Sequence, residues 1–318
     1  MAGPNPSTEP SPTEPSPAGP SLPTDWRRWI LGARPRTLPA AVAPVLVGTA
    51  AAVGGDLERF SAWVFACALG VALLVQIATN YANDYSDGKR GADDPGARLG
   101  PPRLVGNGLA TPSEVKRAML VAFGLAAACG TPLVLFVDWR LVFVGVASIA
   151  AGWFYTGGSR PYGYAGFGEV FVFVFFGLVA TVGAAYVQIL DTTWLAVLSG
   201  CAMGCLSTAL LVVNNLRDIP GDTAVGKRTL AVRLGDRRTR VLYVVLLVLP
   251  FVLLPFMAGL GGRPLAALAF VAVVLARPPV VSVLSGARSG KLIGVLADTG
   301  RVQLVYGVLL AIGLLLVV

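Results

Sequence analysis

SAWVFACALGVALLVQIATNYA, residues 61–82, runs directly into NDYSDGKRGADD, residues 83–94. The first string carries no charged side chain. As a helix it would be about 33 Å long, enough to cross a hydrocarbon core of about 30 Å. The second string opens with Asn83 and Asp87, four residues apart and so on one helical face. A membrane span thus delivers an amide oxygen and a carboxylate, side by side, to a bilayer surface. The same form recurs at residues 193–216, which run out through Asn214-Asn215-Leu216-Arg217-Asp218-Ile219-Pro220-Gly221-Asp222. Asn214 and Asp218 repeat the spacing. Asp222 lies four further on, past a Pro-Gly pair expected to end the helix.

Working outward, apolar runs at 37–54, 114–137, 139–156, 167–190, 239–260, 264–285 and 299–318 bring the expected spans to nine. The chain is 55% hydrophobic and 13% charged, with a mean hydropathy of +0.71, which fits an all-α polytopic membrane protein. Twenty-one of its 25 Lys and Arg residues fall on one side of this alternation and three on the other, with Arg277 inside a span. The positive-inside rule makes the basic side and the N-terminus cytoplasmic and the C-terminus external. The net charge of +8 is then topology and contact with anionic membrane lipid, not nucleic-acid binding. Residues 1–24, rich in Pro, Ser, Thr and Glu, read as a disordered tail, leaving 25–318 as the membrane domain. The absence of histidine excludes His-based zinc sites, Ser-His triads and haem ligation by His, and the four cysteines sit in apolar runs as small buried hydrophobes.

The two motifs end corresponding spans, as an internal duplication would, and such a duplication brings both acidic clusters to one central cavity. Opposed Asn/Asp clusters suit Mg²⁺, which takes oxygen ligands and is commonly held by a few carboxylates plus substrate phosphates. Neighbouring Arg90, Arg217, Lys227 and Arg228 would take the remaining phosphate oxygens. The plain alternative is that the acids are solvated helix caps, and the doubled spacing argues against it. A transporter would carry its ionisable residues near the bilayer midplane on broken helices, whereas these sit at span ends. An alcohol phosphatidyltransferase would need Ala-Arg where Gly91-Ala92 stands. Soluble prenyl-chain synthases share Asp-rich motifs but have no such run of lipid-facing helices.

NDYSDGKRGADD together with NNLRDIPGD resembles the UbiA superfamily of intramembrane aromatic prenyltransferases. The resemblance covers roughly residues 30 to 318. It implies nine helices around a central cavity open to the cytoplasmic side, with two Asp-rich motifs binding Mg²⁺ and a prenyl diphosphate. Arg34-Pro35-Arg36-Thr37-Leu38-Pro39, Asp87-x₃-Gly91-x-Asp93, Tyr155-Thr156-Gly157-Gly158 and Asn214-Asn215-x-Arg217-Asp218 are similar to the menaquinone branch, the 1,4-dihydroxy-2-naphthoate polyprenyltransferases. That likeness assigns Asn83, Asp87 and Asp93, with Asp84 fitting the broader pattern, to the first metal cluster, and Asp218 and Asp222 to the second. It makes Asp87, Asp93, Asp218 and Asp222 the catalytic set, Lys227 and Arg228 diphosphate partners, and Arg160 the basic residue near the aromatic acid or the diphosphate. Asn80, Tyr81, Tyr85, Tyr155, Tyr162, Asn214 and Asn215 are the candidates to border the acceptor or a developing prenyl cation. The implied reaction joins a polyprenyl group from its diphosphate to 1,4-dihydroxy-2-naphthoate with loss of CO₂. Sibling branches act instead on 4-hydroxybenzoate, homogentisate, haem or a sugar phosphate.

Overall fold

The computed structural model describes residues 25–91 and 102–316, so the expected tail and Asp93 lie outside the described residues. Among the described residues all regular structure is helical: α1 (Arg27–Ala33), a 3₁₀ turn (Pro35–Thr37), α2 (Pro39–Val53), α3 (Ala62–Lys89), α4 (Pro112–Phe136), α5 (Leu141–Phe154), α6 (Gly168–Ile189), α7 (Trp194–Ala224), α8 (Leu230–Gly259), α9 (Pro264–Leu284) and α10 (Gly290–Leu315).

Seven of these helices are long and apolar enough to cross a membrane, and the chain is a multi-pass membrane protein. The count becomes eight if the segment Arg27–Thr37 and α2, bent by 53° at the break between them, form one span. Every expected span falls on a helix, yet nine is not reached by length and composition. The shortfall is α5, whose 14 residues rise only about 21 Å.

The helices bearing the motifs err the other way. α3 and α7 have 28 and 31 residues, about 42 and 46 Å, so each carries its acidic turns beyond the apolar thickness. Pro220 and Gly221 do not end α7, contrary to expectation. The turn runs on to Ala224, with Thr223 Oγ1 donating to the Ile219 carbonyl at 2.7 Å and Val225 N to that of Gly221 at 3.2 Å. Asp222 therefore lies on the same helix as Asp218, one turn on. α4 starts at a capping box, with Thr111 N donating to Glu114 Oε2 at 2.7 Å and Glu114 N to Thr111 Oγ1 at 3.3 Å.

Two large apolar cores form, beside a small cluster of Val64, Leu133 and Val187. One joins α2 and α7 to α8, α9 and α10 through buried Val47, Leu206, Leu247, Leu254, Tyr306 and Leu310. The other joins α3 and α4 to the segment before α4 through Ala82, Leu104, Val115 and Met119. A cavity of about 1200 Å³ is walled by α3, α4 and α5 on one side and α2, α6 and α7 on the other. α6 is held tightly against α7. Its middle, Phe173–Val179, is a π-helical segment, and a Cβ on Gly177 would stand 2.3 Å from Gly204 Cα. Gly177→Val is expected to cost about 1–3 kcal/mol by overpacking. A fall in the thermal midpoint of the detergent-solubilised protein would report it, and an unshifted midpoint would contradict the close contact.

Candidate active site

At the motif end the cavity is bordered by Arg34, Asn83, Asp87, Asn214, Arg217, Asp218 and Lys227. Helical spacing explains the convergence: Asn83 and Asp87 share one face of α3, Asn214 and Asp218 one face of α7, and both faces meet the same space. Leu133, Leu141 and Val187 line it at the opposite ends of their helices. Between the two ends runs an aromatic wall. Tyr155 packs edge-on to Tyr162 at 5.6 Å, Tyr162 stacks on Phe171 at 3.9 Å, and Phe171 stacks on Phe175 at 6.1 Å.

Each acid at this end already has a partner. Asp87 Oδ1 accepts from Tyr164 Oη at 2.7 Å. Asp218 is gripped by Arg217, Nε to Oδ1 at 2.7 Å and Nη2 to Oδ2 at 2.8 Å. Asn214 Oδ1 accepts from the same Nη2 at 2.9 Å, and Asn83 Oδ1 accepts from Thr156 Oγ1 at 2.9 Å. Asp222 stands back from the cavity wall, with Lys227 Nζ 3.7 Å from Oδ1 and Thr229 Oγ1 donating to Oδ2 at 3.4 Å. Lys227 Nζ also lies 4.8 Å from the centre of the Tyr164 ring. Tyr164 thus joins the two motifs: its hydroxyl holds α3's acid, and its ring faces the lysine paired with α7's. Burial, and then the charge of Asp87 and the hydrogen bond to it, keep the Tyr164 phenol above its ordinary range, so it remains a donor.

Several residues expected at the site are used elsewhere. Asp84, expected as a metal ligand, is buried against the segment before α4 and accepts from Leu104 N at 2.9 Å and Val105 N at 3.1 Å. Asp84 sits on a different face of α3 from Asn83 and Asp87, because one residue turns a helix by about 100°. Tyr81 donates to the Trp29 carbonyl at 2.9 Å and Tyr85 stacks on Trp153 at 6.3 Å, so neither ring lines the cavity. Asn80 borders the cavity but spends its amide nitrogen on the Ala33 carbonyl at 2.9 Å and Thr37 Oγ1 at 3.1 Å, tying α3 to the bend before α2. Asn215 faces away, donating to Glu169 Oε1 at 3.0 Å.

Among the expected cations, Arg90 turns from the diphosphate position to clamp the α5–α6 loop. It donates to the carbonyls of Thr156 and Gly158 and lies 5.2 Å from the Tyr164 ring centre. Arg160 and Arg228 are exposed and do not border the cavity. The residues that sequence reasoning did not place at the site are Tyr164, Thr156 and Arg34. Tyr164 carried a faint signal, an aromatic in the glycine-punctuated run Gly163-Tyr164-Ala165-Gly166 of a loop already marked by its Tyr-Thr-Gly-Gly.

Among the described residues at the motif end, the cavity wall offers the carboxylates of Asp87 and Asp218 and the amide oxygens of Asn83 and Asn214, which fit a hard divalent cation such as Mg²⁺. No three acidic, His or Cys side chains cluster among the described residues. Mg²⁺ does not need three, since waters and substrate phosphates complete its shell.

The UbiA prenyltransferase family model matches residues 41–287. Over 288 residues, 89% of this chain and 95% of the relative, the sequence is 49% identical to 1,4-dihydroxy-2-naphthoate octaprenyltransferase of Mycobacterium tuberculosis (strain ATCC 25618 / H37Rv). It is 41% identical over 225 residues to the protein of the same name in Escherichia coli (strain K12), covering 69% of this chain and 72% of the relative. Among solved structures, a digeranylgeranylglyceryl phosphate synthase superposes with a TM-score of 0.58 at 14% identity, covering 91% of this chain and 98% of the other. A UbiA homolog from Archaeoglobus fulgidus bound to DMAPP and Mg²⁺ gives 0.57 at 13% identity, covering 90% and 98%. At these identities the superpositions establish a shared fold.

Proposed function

The chain belongs to the UbiA prenyltransferase family, and from that premise we infer that it transfers a polyprenyl group from polyprenyl diphosphate to 1,4-dihydroxy-2-naphthoate, with loss of CO₂. The observation that carries the acceptor assignment is the 49% identity, over nearly the whole length of both chains, with a relative named for that reaction. The cavity supports the donor assignment, because one space joins a polar, charged end to a long apolar interior, matching a diphosphate head on an isoprenoid tail.

In this reading Asn83, Asp87, Asn214 and Asp218 hold Mg²⁺ at the cavity rim, with Asp222 and, outside the described residues, Asp93 in support. A divalent cation there supplies positive charge that stabilises the departing diphosphate. Arg34, Arg217 and Lys227 border the same end and donate to the remaining phosphate oxygens. The allylic C–O bond breaks with its electron pair leaving on the diphosphate, a C–C bond forms to the electron-rich ring, and the carboxylate leaves as CO₂. Tyr155, Tyr162 and Phe171 present π-faces to the developing cation, and the apolar walls keep water from quenching it. By the positive-inside rule the motif end faces the cytoplasm in an inner membrane, and α10, running away from that end, carries the C-terminus outward.

The test is an assay of the purified protein with radiolabelled polyprenyl diphosphate and Mg²⁺, offering 1,4-dihydroxy-2-naphthoate and 4-hydroxybenzoate separately. A lipophilic product from the naphthoate alone, abolished by EDTA, is the expected result. Product from 4-hydroxybenzoate instead would move the protein to a sibling branch, and no product from either would sink the reading.

A further inference from the structure

Arg217 does more at the cavity rim than sit beside a metal-binding acid. Its guanidinium takes both oxygens of Asp218, at 2.7 and 2.8 Å, and reaches Asn214 Oδ1 at 2.9 Å. A planar guanidinium matches a carboxylate in this two-pronged way, and such pairs are among the stronger hydrogen-bonded contacts. The Arg217 side chain is only 2% exposed, so solvent screens the pair little. Its remaining nitrogen, Nη1, is buried with no hydrogen-bond partner among the described residues, and the residue borders the cavity. An unmet charged donor is costly to bury, and its position marks where an anionic oxygen would be welcome. Lys227 repeats the theme more loosely, 3.7 Å from Asp222.

We propose that Arg217 is an exchangeable counter-ion: it neutralises Asp218 until a divalent cation and a diphosphate arrive together, then passes from the carboxylate to the diphosphate oxygens. The proposal rests on the prenyl-diphosphate reading above. Its consequence is coupled binding. A cation alone must compete with Arg217 for Asp218 and for the Asn214 carbonyl oxygen. A diphosphate alone must draw Arg217 away from a carboxylate it grips through two short hydrogen bonds. Each ligand removes the cost borne by the other, and such coupling is reciprocal.

Calorimetric titration of the full-length protein in detergent tests this with two probes. One is Mg²⁺ alone, and the other is geranyl S-thiolodiphosphate, an unreactive diphosphate, at saturating Mg²⁺. Arg217→Gln is expected to bind Mg²⁺ alone about fivefold tighter, because Arg217 no longer competes for the carboxylate. It should bind the thiolodiphosphate about tenfold more weakly, because a phosphate donor is gone. Arg217→Lys, which keeps the charge without the fork, should shift both affinities in the same opposed directions by less, and it stands in if the Gln variant loses its thermal midpoint. A merely structural role would weaken both ligands together. That result, or unchanged Mg²⁺ affinity, overturns the proposal. A wild-type protein that binds no thiolodiphosphate at any Mg²⁺ concentration would instead overturn the prenyl-transfer reading beneath it.

Discussion

Asp218→Ala is expected to lower kcat/KM for the polyprenyl diphosphate by about a thousandfold, the scale on which loss of a transition-state charge stabiliser is felt. Three effects combine at this position. Among the described residues the cavity rim loses one of its two carboxylates, leaving Asp87 with the amides of Asn83 and Asn214. Arg217 loses the acceptor of two short hydrogen bonds and is left buried with its charge uncompensated. The cation that offsets charge on the leaving diphosphate is held less tightly. Steady-state kinetics with both substrates varied would measure the loss. Raising Mg²⁺ should recover only part of it, since added metal does not restore Arg217's partner. Activity within tenfold of wild type would remove Asp218 from the site. Asp84→Asn offers the contrast. Its carboxylate is committed to Leu104 N and Val105 N, so that change should lower the thermal midpoint before it touches the affinity for Mg²⁺.

The second large effect belongs to a residue that touches neither apolar tail nor ring acceptor in the proposed reaction. Tyr164→Phe removes one hydroxyl, and with it the 2.7 Å hydrogen bond that fixes Asp87. Outer partners of metal ligands typically contribute ten- to hundredfold in affinity or activity, and a loss of about thirtyfold in kcat/KM for the diphosphate is expected. The ring remains between Arg90 and Lys227, at 5.2 and 4.8 Å, so the cation-π contacts survive. Tyr164→Leu removes these as well and should cost several-fold more. The distinguishing readout is the split between substrates: KM for the diphosphate and the Mg²⁺ requirement should rise while KM for the aromatic acceptor stays within twofold. A uniform fall in kcat with both KM values unchanged would show that Tyr164 does not act through Asp87.

Why Tyr164 had to be found in three dimensions is plain from where it lies. It is 77 residues from Asp87 in sequence, on a loop with no periodic pattern, and its role depends on contacts such as those of Arg90 and the Arg228 backbone that close that loop over α3. The acids were legible for the opposite reason. Asn83 and Asp87, like Asn214 and Asp218, are local pairs whose common direction follows from 3.6 residues per turn, wherever the helix is packed. Tyr81 and Tyr85 are candidates by their position beside the motif, yet neither ring lines the cavity. Helical spacing says which residues share a face, but not whether that face meets the cavity or the neighbouring Trp29 and Trp153. Among the cations, Arg90 and Arg228 were placed by sequence proximity, while long flexible side chains go to the nearest unmet acceptor. For Arg90 those were the carbonyls of Thr156 and Gly158.

The amino-acid sequence is enough to establish the class of molecule. Uncharged runs of about 20 residues leave backbone amides no stable option in lipid except helix, so an all-helical membrane fold followed from composition and length. It also determined that two acidic faces would stand at the same end, because they terminate spans of equal rank in an alternating chain. Packing settled which acids face the cavity, which partner each of them takes, and that α5 falls short of a full crossing while α7 runs on past Pro220. These depend on contacts between helices distant in sequence, where a shift of one residue turns a side chain by about 100° and exchanges a site ligand for a packing residue.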